Sequence, residues 1–154
     1  MNSLKRYIFL GLICGTVWSQ KILIPMDETQ TDHLKAYGVA FWVLERDIDI
    51  EWLLNYRGGS FLIDNYPDLV RELRLRDVRF ETVAPGAELN IYAIIENNNM
   101  DIVLLEKAPK VAVYSPPGKQ PWDDAVTLAL EYAEVEYQVI WDAEVLDGDL
   151  SEYD

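Results

Sequence analysis

Short apolar runs of strand length alternate with segments of helical period from Lys21 to Trp141, and this alternation confines the chain to a mixed α/β fold. Lys21 to Pro25 reads as a buried strand. Leu34, Tyr37, Phe41 and Leu44 then recur at helical spacing, with Val39, Ala40 and Val43 on the other side, so this helix is expected to be buried over much of its surface. Thr29 or Thr31 is placed to cap it, with Asp32 in the first turn, where the helix dipole favours a carboxylate. Trp52 to Tyr56 reads as a second strand, and Arg57-Gly58-Gly59-Ser60 as a break after it. Pro67 opens a helix to about Arg76, with Leu69, Val70 and Leu73 inward. Val78 to Val83 reads as a third strand and Pro85-Gly86 as a turn. Glu88 to Glu96 is a weaker helix ended by Asn97, Asn98 and Asn99.

A second unit begins near Ala108. Val111 to Tyr114 predicts a strand, and Ser115 to Gln120 a loop kept irregular by Pro116, Pro117 and Gly118. Pro121 is placed at a helix start, with Asp123 and Asp124 in the first turn and Val126, Ala129, Leu130 and Ala133 inward. Tyr137 to Trp141 is the following strand. Strand, helix, strand at this spacing is a βαβ unit with parallel strands. The expectation is an α/β protein of parallel-sheet (Rossmann- or flavodoxin-like) units. It divides into a leader (1–19), an N-terminal α/β domain (20–107) and the start of a second unit (108–154). Glu144 to Asp149 reads as a loop and Leu150 to Asp154 as the approach to another strand, so the second unit is expected to be incomplete. Two strands and a helix bury little apolar surface alone. The alternative is that the unit docks on the first and completes its sheet.

The first nineteen residues have the order of an export signal. Lys5 and Arg6 form a basic region, and Tyr7 to Ile13 an apolar run too short to span a bilayer. Small residues follow, with Val17 and Ser19 placed for cleavage before Gln20. A lipoprotein signal at Cys14 would want a small residue where Ile13 stands, and a buried strand would leave the basic flank unexplained. The mature protein is therefore expected in the periplasm or outside the cell, with no stable membrane insertion. Cys14 is the chain's one cysteine and is removed with the leader, leaving no disulfide, thiolate ligand or cysteine nucleophile.

Charge narrows the partners. Thirteen basic residues stand against 27 acidic ones, a net charge of −14 that repels phosphate backbones and anionic headgroups. Nucleic acid is not an expected partner.

Three segments follow strands, where open α/β sheets bind ligands. Met26 to His33 holds Asp27, Glu28, Asp32 and the single histidine, too few nitrogen or sulfur donors for zinc, and no metal is expected there. Arg57 to Ser60 is the best candidate for a small polar or anionic ligand, because Gly58 and Gly59 let the backbone present amides beside Arg57. Ser115 to Asp124 offers Ser115 and Lys119 as polar contacts. It lacks the glycine spacing of a dinucleotide or phosphate loop, and Ser115 lacks the elbow of a serine nucleophile. Asp147-Gly148-Asp149 does not fit a calcium loop. No cofactor is expected.

Three longer runs carry a family resemblance. Asp27-Glu28-Thr29-Gln30-Thr31-Asp32-His33-Leu34-Lys35-Ala36-Tyr37-Gly38 resembles the start of a group of exported proteins from Bacteroidota-type bacteria, labelled asparagine synthetase B. Trp52-Leu53-Leu54-Asn55-Tyr56-Arg57-Gly58-Gly59-Ser60-Phe61 and the run from Lys110 to Ala125 resemble the same group. Its members are longer than this chain and carry a region similar to class I glutamine amidotransferases. The resemblance implies that residues 108–154 open an amidotransferase-like unit, with catalytic residues beyond Asp154 and the rest of the protein as this part's partner. Asparagine synthetase chemistry would use a cysteine after the initiator, where Asn2 stands, and a Ser-Gly-Gly-Leu-Asp-type loop, which Gly58-Gly59-Ser60 reverses. Two function classes remain: an exported amidotransferase-like or hydrolase-like enzyme, and a non-catalytic exported binding module.

Overall fold

The computed structural model describes residues 20–118 and 124–154. The leader, Lys119 and the expected helix start at Pro121 and Asp123 lie outside the described residues. Strands β1 (Lys21–Ile24), β2 (Ile50–Leu54), β3 (Ser60–Asp64), β4 (Glu81–Val83) and β5 (Asp101–Leu105) form one sheet in the order β4-β1-β3-β2-β5. Between them lie α1 (His33–Leu44), α2 (Pro67–Leu75) and α3 (Glu88–Asn97). A second, two-stranded sheet joins β6 (Ala112–Tyr114) and β7 (Gln138–Ile140) around α4 (Ala125–Ala133), followed by α5 (Asp142–Asp147).

The chain is mixed α/β, but the first sheet is not parallel. Every pairing in it is antiparallel: β1 with β3 and β4, and β2 with β3 and β5. The expected parallel arrangement holds only for β6 and β7, in register Val113↔Val139. Two strands lie where the sequence predicts none, β3 and β5, and the first is decisive. Arg57 to Gly59 is the turn of a hairpin, and the apolar run Phe61-Leu62-Ile63 is its returning arm. That arm lies between β1 and β2, so each crossover helix joins two parallel strands with a third strand inserted between them. Elements β1 to β4 are thus two interleaved split βαβ units, the ferredoxin-like topology. Helix α3 and edge strand β5 are additions to it.

Both faces of the sheet are covered at β1, β2 and β3, which explains why these antiparallel strands read as apolar runs, while Ile102, Val103 and Leu104 of edge strand β5 stay exposed. Ile22, Ile24, Ile50, Phe61 and Ile63 face α1 and α2 and join Val39, Val43, Leu69 and Leu73 in one core. Leu23, Leu53, Leu62 and Val83 face the other way, onto Ile91 and Ile95 of α3.

Several boundaries move. Asp32 and Asp124 are N-caps rather than first-turn residues, accepting from the Lys35 amide and from the Val126 and Thr127 amides. Thr31 instead donates to Asp77 O. Leu34, Tyr37 and Val126 were expected inward and are exposed. Residues 144–147 fall in α5, Gly148 caps it, and a 3-10 turn follows at Asp149–Glu152, where a loop and a strand were expected.

The second unit does dock on the first, but through helices and not by completing its sheet. Helix α4 lies on α1 so closely that a methyl built on Gly38 would overlap the Ala133 carbonyl. Glu134, left-handed at φ 60°, ends α4 and receives Lys35 Nζ at 2.6 Å and Arg76 Nη2 at 3.2 Å. The Tyr132 hydroxyl donates to Asp32. Among the described residues no helix is long and apolar enough to cross a membrane.

Candidate functional site

Strands β1 and β2 are both antiparallel to β3, so they run the same way and their carboxyl ends share one edge of the sheet. Two of the three sequence-derived segments therefore meet. The Met26 amide donates to Arg57 O at 3.1 Å, and a methyl on Gly58 would overlap the Met26 carbonyl. Positive φ angles at Asn55, Arg57, Gly58 and Gly59 shape this turn. Each guanidinium nitrogen is engaged: Nε donates to Asp27 at 2.7 Å, Nη1 to Glu81 at 2.8 Å and Nη2 to Thr29 at 3.2 Å. Arg57 and the Thr29 hydroxyl hold the Asp27 carboxyl down at about 2. The His33 ring donates through Nε2 to Met26 O at 3.1 Å. Among the described residues no three His, Cys, Asp or Glu side chains gather to hold a metal ion. Ser115 sits apart, after β6, with its amide on Ile140 O.

The same turn orients a side chain that faces a cleft. Trp52 donates its indole N–H to Gly59 O at 3.0 Å. Trp52 is the direct cross-strand partner of Phe61, and the rings stack with centroids 6.3 Å apart. Tyr37 meets Phe61 edge-on at 5.8 Å. These rings, with Phe41 and Leu44 of α1, Leu105, Pro109 and Val135, line an apolar cleft of about 280 Å³. It lies where α1 stops covering the β2 side of the sheet and the second unit's Val135 supplies the far wall.

Phe41 and Pro109 also line a polar groove of about 250 Å³, which carries Glu45, Lys110 and Glu136. Burial raises the Glu45 carboxyl above its ordinary value, and the like charge of Glu136 raises it further, against partial relief from Arg46 and Arg76. Lys110 reaches Glu152 at 3.2 Å. An apolar chamber thus opens onto a rim with two carboxylates, Glu45 and Glu136, and one ammonium, Lys110, which is paired with Glu152.

Sequence reading placed Trp52 and Phe41 on elements but did not assign them to a site. The legible signal was an aromatic pair flanking a glycine turn. Glu45 and Glu136 carried no signal, because only the docking of α4 on α1 brings them together. No protein-family model, curated protein or solved structure matches this chain.

Proposed function

We propose that this chain is a non-catalytic binding module of an exported protein, and that it holds a small amphipathic cation. The apolar or aromatic body of the ligand lies against Trp52, Phe61 and Phe41, and its ammonium-type head faces Glu45 and Glu136. The observation that carries this reading is the sharing of Phe41 and Pro109 by the apolar cleft and the polar groove. A cation at the rim stabilises the Glu45 carboxylate, which burial first and the like charge of Glu136 second disfavour. An anion at Arg57, Gly58 and Gly59 would instead displace Asp27 and Glu81 from the guanidinium. In chemistry the favoured ligand is therefore cationic.

The three resembling runs support placing this module at the N-terminal end of the exported group labelled asparagine synthetase B. Within it, β6-α4-β7 opens a Rossmann- or flavodoxin-like sheet. The parallel β6–β7 pairing supports that. So does the backbone just before β6, where Lys110 O accepts from the Asp154 amide at 3.2 Å. Intact-mass analysis of protein exported by its native host tests the leader: a mature chain beginning at Gln20 is expected.

Calorimetric titration with 2-phenylethylamine and with phenylacetate tests the ligand class. The amine binds and the carboxylate does not. Glu45→Gln with Glu136→Gln weakens the amine roughly tenfold, about 1.4 kcal/mol. Equal binding of phenylacetate, or an unchanged amine affinity in the double variant, overturns the proposal.

A further inference from the structure

At the carboxyl ends of β6 and β7, far from any role in the cleft, Tyr114 and Trp141 stack with ring centroids 4.6 Å apart and planes 25° from parallel. The pair is held from both sides. Tyr114 donates its hydroxyl to Asp142 Oδ1 at 2.5 Å, and the Trp141 amide donates to Glu144 Oε2 at 2.9 Å. The first tether fixes the Tyr114 ring and the second the backbone that carries Trp141 before any ligand arrives, which lowers the ordering cost of binding. Yet Tyr114 is 54% exposed, so its ring is offered to solvent rather than packed into a core. The position matters too, because parallel α/β sheets bind ligands beyond the carboxyl ends of their strands.

We propose that this ring pair is a stacking platform for a neutral hexose oligosaccharide. The face of an aromatic ring is electron-rich, and the axial C–H bonds of a pyranose present partial positive charge to it. Asp142 is exposed and uses one oxygen on Tyr114, leaving acceptor capacity for a sugar hydroxyl at the platform's rim. Phosphorylated and uronic ligands are disfavoured by Asp142, Glu144 and the chain's net charge of −14. The site is independent of the amine cleft.

Calorimetry on the full chain with cellohexaose, maltohexaose and an oligogalacturonate tests it. At least one neutral hexaose binds, the acidic oligomer does not, and excess 2-phenylethylamine leaves the binding unchanged. Tyr114→Ala weakens the neutral sugar about tenfold. Tyr114→Phe keeps the stack, loses the Asp142 tether, and weakens it about threefold. Failure of both hexaoses to bind, comparable binding of the oligogalacturonate, or affinity that survives Tyr114→Ala in a chain of unchanged circular dichroism overturns the proposal.

Discussion

In the five-stranded sheet, β1, β3 and β2 each have a neighbour on both edges and helices over both faces, and Ile22, Ile24, Leu53 and Ile63 are almost fully enclosed. In the second unit, among the described residues, β6 and β7 pair only with each other, and Tyr114, Val139, Leu146 and Leu150 remain more than half exposed. The hairpin accounts for much of the difference. A strand that returns at once can fill the gap its crossover leaves, so split βαβ units close a core from local sequence. A lone parallel pair has no such returning arm and depends on what its helix can lean against. Here that support is α1, and the ligand cleft forms at the junction.

The largest effect expected from a single substitution is in the closed region. Leu73→Ala empties a fully buried position and costs about 2–5 kcal/mol in urea unfolding. Val113→Ala, in the open region, costs less than about 2 kcal/mol. Equal costs would break the comparison.

Gly38→Ala sharpens it. Alanine favours an isolated helix by about 1 kcal/mol, but the overlap with the Ala133 carbonyl forces α4 away from α1. The net cost is about 1–3 kcal/mol. Hydrogen exchange reads it as lost protection in α4, with β1 and β3 unchanged.

Acid tests the clamp within the closed region. The folded Asp27 carboxyl lies below its ordinary 3.8, at about 2. Its contribution is therefore present above the ordinary value and is lost as pH falls through the folded one. Asp27→Asn removes that part of the acid dependence, so a stability profile of unchanged slope between the two values would show that Arg57 relies on Glu81 alone.

The smallest effect is at the junction's ion pairs. Glu134→Gln removes two bridges from a half-exposed carboxylate and costs less than about 1 kcal/mol, shrinking with salt. Glu134→Gly relaxes the left-handed backbone while removing the same charges, so the difference between the variants separates conformation from electrostatics. A large, salt-insensitive loss in the glutamine variant would put the docking energy in these pairs instead of in the helix contact.

Local chemistry alone was enough for β1, α2, α3 and the β6-α4-β7 unit, because Pro67, the asparagine run and the apolar periods act within a few residues. It was also enough to mark Arg57 to Ser60 as a break whose two glycines let the backbone turn. It could not choose the direction of the strands. Alternation and apolar runs look the same in parallel and antiparallel sheets once both faces are buried, and local chemistry assigns no element to the strand that follows the break at Arg57 to Ser60. Nor could it reveal that Arg57 answers to Asp27 and Glu81, or that Glu45 and Glu136 share a rim. Those are meetings of residues far apart in the chain. They are decided by which strand enters the gap between β1 and β2 and by how closely Gly38 lets α4 approach, and neither choice has a counterpart within any short stretch of sequence.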